Sequence, residues 1–406
     1  MPNTKVILSG CGIAGPVLAI FLKLKGYEPV IYERGSKGSS GGTSMMLQPN
    51  GLRVLKLIPG LTEKIVGHHI SQIKQLSVVP GDEGVIGVVD MPVEEMVERH
   101  GFVMTGVKRS QFHQTLIDAA VEHGVEIIYN HQLASIEQKD TEVHVKFANG
   151  QSDVASFVVG CDGLHSNTRT ELFGEGKADF TGLVQVAGIG PLQPGFADAM
   201  TNIYGEDVHL VTYQINDNEQ SWAVTLRESE AKESWRAMDA SKEAEFKASP
   251  YASWSYGGSE LVQSTKGINK YGLYDRPELA SWHKGRVVLL GDAAHPTSPH
   301  LGQGANQAFE DVYHLVRCLV KYNPDAGEPS TEDLSKVFEE YEKARIQRTS
   351  ALVSGARQQG NARVVHGQEA CLKRNEILRK IWGNAAAMKE APGAAWAGPF
   401  TGAPEI

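Results

Sequence analysis

The chain has 406 residues, 43 of them glycine, with 41% hydrophobic and 21% charged residues, the proportions of a folded globular protein rather than a disordered one. Its 39 Lys and Arg against 48 Asp and Glu leave a formal charge of −9 with no long like-charge blocks, which argues against a nucleic-acid partner. Cys11, Cys161, Cys318 and Cys371 are far apart and form no CxxC pair, so a metal site or disulfide framework is not expected and a reducing compartment, the cytoplasm, fits.

Val6 to Leu22 carries no charge and could pass for an anchor, but it breaks at Gly10, Gly12 and Gly15 and restarts with Pro16. That grammar is strand, tight turn and helix, and no membrane span is expected here or elsewhere. Residues 5–34 continue through a Gly26 turn into a second strand ending at Glu33 and Arg34. In a GxGxxG unit Gly10 permits the turn, Gly12 admits a pyrophosphate to the backbone, and Gly15 lets helix and strand pack closely. Ile13 and Ala14 lie at the helix start, whose free N–H groups favour an anion. Glu33, roughly 20 residues on, suits a ribose hydroxyl, so an adenosine with a free 2′-OH is expected. Gly188-Ile-Gly190 and Gly302-Gln-Gly304 do not complete the same pattern.

The segment 35–55 reads as a glycine-rich loop leading into a helix. Residues 157–169, FVVGCDGLHSNTR, are an apolar run turning at Asp162-Gly163, which alone would suit a hairpin. Alternation in VHLVTYQIN and SWAVTLRE predicts antiparallel strands, with His209, Val211 and Tyr213 on one face and Trp222, Val224 and Leu226 on one face of the next. Which face meets a ligand is open at this level. Residues 285–311 predict a buried strand from Val287 to Leu290, Asp292 at its end, a Pro-containing loop, and a helix beginning around Gly302 to Asn306. Beyond Asp311 the chain reads as largely helical, and the Ala-, Gly- and Pro-rich tail from Ala385 as loose or packed as an arm.

Residues 5–34, 157–169 and 285–311, in this order, resemble the class A flavin-dependent monooxygenases, which include para-hydroxybenzoate and salicylate hydroxylases. Arg109 in KRSQFHQTLIDAA, Asp275-Arg276, Tyr341, Arg345 and Arg348 add to the likeness, which fades over residues 180–265 and after about residue 365. The resemblance implies an α/β fold: a discontinuous Rossmann-like FAD-binding domain at 1–70, 101–178 and 270–325. An antiparallel β-sheet substrate domain would occupy 71–100 and 179–269, and C-terminal helices and a tail 326–406. It further implies FAD bound by Gly10, Gly12, Ile13, Ala14, Gly15, Glu33, Arg34, Gly42, Arg109, Asp162, Gly163, Asp292, Pro299, Gly302, Gly304, Ala305 and Asn306. Gly41 would run beside the flavin with Gly42. NADH or NADPH would serve as transient co-substrate without a dinucleotide domain of its own.

The implied reaction passes one oxygen of O2, through a flavin C4a-hydroperoxide, to an aromatic or unsaturated small molecule by hydroxylation or epoxidation. His300 is the acid/base candidate, set against a loop histidine that only packs, and Tyr213 the substrate-ligand candidate; His295 reads as structural. A monomer or homodimer is expected. The rival readings are a reductase or oxidase of the same fold and a regulator without turnover; a halogenase is disfavoured because WxWxIP is absent.

Overall fold

The computed structural model describes residues 4–38, 41–229, 236–390 and 393–406; Ser39 and Ser40 of the expected glycine-rich loop and Ala391 and Pro392 of the tail lie outside them. A six-stranded sheet has the order His283–Lys284, Val287–Leu289, Phe157–Gly160, Lys5–Ser9, Glu28–Glu33, Glu126–Tyr129, parallel except at its first strand. Ile7 pairs with both Val30 and Val158, and Val158 with Val287. Val6, Ile7, Leu8, Phe157, Val158, Val287 and Val288 are all fully buried, as strands covered on both faces must be. Asp162 therefore does not close a hairpin: it follows a central parallel strand and leads into the helix Asn167–Phe173, capped by Ser166.

Parallel pairing aligns the carboxyl ends of neighbouring strands. The turns after Ser9, Gly160 and Leu289, together with Glu33, therefore lie along one edge although they are up to 280 residues apart in sequence. This is where open α/β sheets bind ligands.

The second sheet has eight strands in the order Arg236–Ala237, Asn269–Asp275, Asp179–Pro191, Glu219–Arg227, Val208–Gln214, Ala199–Tyr204, Gln72–Ser77, Gly84–Asp90. It is antiparallel except where Ala199–Tyr204 runs parallel to Gln72–Ser77. Asn269–Asp275 pairs with Asp179–Pro191, so the boundary expected at residue 270 falls inside this sheet. A further expectation is revised in the segment 35–55, where Ser44–Leu47 forms a strand against Thr105–Lys108 before the helix Pro49–Leu55.

The C-terminal region is not a separate unit. Leu334, Val337, Phe338 and Tyr341 of the 33-residue helix Thr331–Arg363 share one apolar core with the six-stranded sheet. The tail is a packed arm: Trp396 is buried, and Arg53 donates to the carbonyls of Trp396, Ala397 and Gly398. Among the described residues no helix is long and apolar enough to cross a membrane.

Candidate active site

At the first turn the three glycines have different jobs. Gly10 has φ +107°, and a Cβ on it would lie 2.6 Å from the Cys161 carbonyl oxygen; a Cβ on Gly15 would lie 2.2 Å from the Gly10 oxygen. Both are forced by contacts within the protein. A Cβ on Gly12 would meet nothing within 4 Å, so this glycine keeps space open. Ala14–Leu24 follows from Ile13 without a capping side chain, leaving the first amides available to an anion. Glu33 accepts from the Cys11 N–H at 2.8 Å and the Gly35 N–H at 2.7 Å, which fixes its carboxylate beside the glycine turn. Exposed Arg34 stands next to it.

Gly10, Gly12, Glu33, Arg34, Arg109, Asp162 and Gly163 line one groove, of about 210 Å³. Arg109 also lines a second cavity of about 320 Å³, with Asp292, Pro299, His300, Gly302, Gly304 and Ala305 on one side and the eight-stranded sheet on the other. One side chain thus borders both spaces. Arg109 starts the helix Arg109–Glu122 and donates to the Gly41 carbonyl; a Cβ on Gly42, at φ +88°, would strike Arg109 Cδ at 2.7 Å.

Asp292 follows the strand Val287–Leu289 in a short 3-10 turn. Its carboxylate faces the cavity and accepts no hydrogen bond from any described residue. Although the side chain is exposed to the cavity, desolvation by the surrounding protein pushes its pKa up, opposed by His295 and Arg109. The turn is held from behind by Asp311, which accepts from Gly291 N–H at 2.9 Å and from His295 Nε2 at 2.6 Å while Arg345 binds its other oxygen at 2.7 Å. Arg169 donates to the Ala293 and Ala294 carbonyls, tying the Asp162 segment to this turn. Asp162 itself accepts from Ser166 Oγ and from Thr168 N–H and Oγ1, so its carboxylate is occupied in closing its own turn.

The helix expected around Gly302 to Asn306 begins at Gly304, after a 3-10 turn Pro299–Leu301 and Gly302 at φ +63°, again without a capping side chain. The Asn306 side chain is engaged within the protein. It is fully buried and accepts from Gln48 N–H at 2.9 Å while donating to the Met46 and Gly302 carbonyls at 3.0 and 2.8 Å. With donor and acceptor both engaged, the side chain clamps the helix to the strand Ser44–Leu47.

His300 is 5% exposed. Burial, and then Arg363, push its pKa down to about 3, so it is neutral at physiological pH. Its Nδ1 lies 3.4 Å from Arg363 Nη1, and a Cβ on Gly360 would be 2.5 Å from its Nε2. Both ring nitrogens therefore face the last turns of the helix Thr331–Arg363. This geometry favours the alternative of a loop histidine that only packs, although its Nε2 has no hydrogen-bond partner among the described residues. His295, bonded to Asp311 and packed on Trp282, is structural.

The sheet decides which face meets the cavity: Val211, Tyr213, Ser221 and Ala223 line it, while Trp222, Val224 and Leu226 face an apolar cluster with Phe246 and Trp254. His209 shares the Tyr213 face but is fully buried against Asn202. The Tyr213 hydroxyl lies 2.8 Å from Ser44 Oγ. Sequence reading missed Ser44, Gln48, Gln185, Tyr271 and Arg363 as cavity walls, and Asp311 as the support of Asp292. Only Asp311, at the end of the third motif, carried a signal; the others come from segments whose patterning is ordinary.

The family described as FAD binding domain matches this chain over residues 3–356. The chain belongs to that family. It is a class A FAD-dependent monooxygenase. A 6-hydroxynicotinate 3-monooxygenase of Bordetella bronchiseptica is 27% identical over 354 residues, covering 85% of this chain and 88% of that protein. A 3-hydroxybenzoate 6-hydroxylase of Polaromonas naphthalenivorans is 28% identical over 380 residues, covering 92% and 91%. In fold, Klebsiella pneumoniae HpxO complexed with FAD and uric acid aligns with a TM-score of 0.84 at 21% identity over 98% of both chains. In this monooxygenase the open face of Gly12, the two uncapped helix starts and the unpartnered Asp292 suit a dinucleotide that is anionic in the middle and rich in hydroxyls.

Proposed function

We propose that this monooxygenase hydroxylates a ring-hydroxylated aromatic or heteroaromatic small molecule in the cavity between Pro299–Gly302 and the eight-stranded sheet. The observation that carries this is the adjacency of the two spaces, which share Arg109 as a wall. Beside a groove suited to an adenine dinucleotide stands a chamber of about 320 Å³ walled by Met45, Met46, Met200, Tyr213 and Tyr271, apolar and aromatic sides that accept one planar ring. The named relatives act on hydroxynicotinate and hydroxybenzoate, which supports the same substrate class.

Bound FAD supplies the redox chemistry, taking electrons from NADH or NADPH and delivering one oxygen atom of O2. The chain's own residues position and enclose. Gly12 and the amides after Ile13 would hold the pyrophosphate, Glu33 and Arg34 would flank the adenosine, and Asp292 would accept from the ribityl hydroxyls. Arg109 borders both the groove and the chamber. The uncapped start of the helix Gly304–Tyr322 would offer its positive end to the anionic reduced flavin. His300, neutral and packed, serves as wall. Four buried free cysteines support work in a reducing cytoplasm.

The test is NADH and NADPH oxidation by purified holoenzyme across a panel of hydroxybenzoates and hydroxypyridines, with mass spectrometry for one added oxygen. Stimulated oxidation coupled to an oxygenated product is expected; oxidation without product from any ring compound would turn the reading toward an oxidase.

A further inference from the structure

Three charged side chains line the chamber: Asp292, Arg109 and Arg363. Asp292 and Arg109 offset each other electrostatically. Arg363 has no such partner. It is the last residue of its helix, and its Nε is buried with no hydrogen-bond partner. Its nearby groups are the neutral His300, 3.4 Å from Nη1, and the Tyr204 hydroxyl, which itself donates to Gln75. Among the described residues it forms no ion pair. Beyond it lies Arg374, a second cation, stacked over the Tyr204 ring at 5.0 Å.

A guanidinium cannot shed its proton, and burying one without a counter-charge is strongly unfavourable. Such a group persists when an anion completes it. The helix end contributes carbonyl dipoles, but the Arg363 carbonyl is already taken by Arg374, and dipoles do not equal a full negative charge. The chamber wall near it is neutral and polar: Tyr271 donates to Gln185, whose amide donates to Thr225 at 3.2 Å. No acid there competes for the cation.

Resting on the reading that this chamber holds the substrate, we infer that Arg363 is the receptor for an anionic substituent, so that the substrate is an aromatic carboxylate or an equally acidic ring and is oriented by its charge. The fork of the guanidinium suits two carboxylate oxygens.

The probes are 3-hydroxybenzoate and its neutral isostere 3-hydroxybenzamide, titrated into wild-type, Arg363→Gln and Arg363→Lys holoenzymes and read by the change in flavin absorbance. Melting temperatures with and without each probe accompany the titrations. Wild type binds the acid more tightly than the amide. Arg363→Gln loses at least tenfold for the acid and less than about threefold for the amide, and Arg363→Lys falls between. A half-buried cation with its Nε buried and no counter-charge is a liability in the empty site, so Arg363→Gln has a Tm no lower than wild type without ligand and loses the rise caused by the acid. Equal affinity of wild type for acid and amide, or no binding of the acid, overturns the assignment. So does unchanged acid binding in Arg363→Gln, or a lower ligand-free Tm with equal losses for both probes. The two readings fail separately: acid binding that depends on Arg363 without oxygenated product rejects the hydroxylase reading alone, while product formation indifferent to Arg363→Gln rejects the anion receptor alone.

Discussion

Substituting the glycines of the first turn one at a time separates the fold from the ligand. At Gly15 an added Cβ would lie 2.2 Å from the Gly10 carbonyl oxygen, against 3.4–4 Å for ordinary contact, so more than an ångström of backbone must move. Overpacking of that size in a buried turn costs about 3 kcal/mol or more. At Gly12 the same Cβ meets nothing within 4 Å, and no positive φ is required. Gly12→Ala should therefore leave the stability of the apoprotein unchanged or raise it by up to about 1 kcal/mol through a stiffer unfolded chain. Its methyl group would instead occupy the approach to the pyrophosphate, and an affinity loss of about 100-fold, or roughly 2.7 kcal/mol, is expected. Urea unfolding of the two apoproteins, with FAD titrated by quenching of its fluorescence, measures both quantities. The reasoning fails if Gly12→Ala loses as much stability as Gly15→Ala, or binds FAD with the wild-type Kd.

Asp292→Ala should weaken FAD at least tenfold while leaving apoprotein stability unchanged, since no described residue loses a hydrogen-bond partner; calorimetric titration and thermal melts check the two halves. His300 has a folded pKa of about 3, below its unfolded value near 6.5, so below pH 6.5 the unfolded chain binds the proton first and stability falls as pH falls. Between pH 7 and 5 the wild type should lose about 2 kcal/mol that His300→Gln does not, seen as converging urea midpoints, and neither protein should show a His300 inflection in its pH–rate profile. Arg345→Met leaves Glu310 and Asp311 buried without their shared cation, a loss of about 3–5 kcal/mol, and releases Gly291 and His295 behind Asp292; a stable variant with unchanged FAD affinity would contradict that chain of support.

The nucleotide half of the site was legible because its requirements are local. A strand, a turn that only glycine makes, a helix start and a terminal acid are consecutive in sequence, and each leaves a residue-type signature at Gly10, Gly12, Gly15 and Glu33. The substrate half was not. Alternation showed that Tyr213 and Trp222 lie on strands, but period two is symmetric, and only packing against Phe246 and Trp254 turned Trp222 away and left Tyr213 facing the chamber. The partner of the Asn306 side chain was hidden for a similar reason: the strand Ser44–Leu47 that takes it lies within a glycine-rich run.

By itself the sequence determined the family and the cofactor, through motifs whose order and residue types carry the resemblance, and backbone geometry at the first turn limits which residues can stand there. The tertiary structure decided the rest. It separated Gly12, which faces open space, from Gly10 and Gly15, which face carbonyl oxygens. It turned both nitrogens of His300 toward a helix that begins 31 residues later in the chain, at Thr331. It also brought Arg363, from the end of that helix, to the wall of the chamber without a counter-charge. Charge pairing and burial depend on which segments meet, and segments this far apart meet only through the fold.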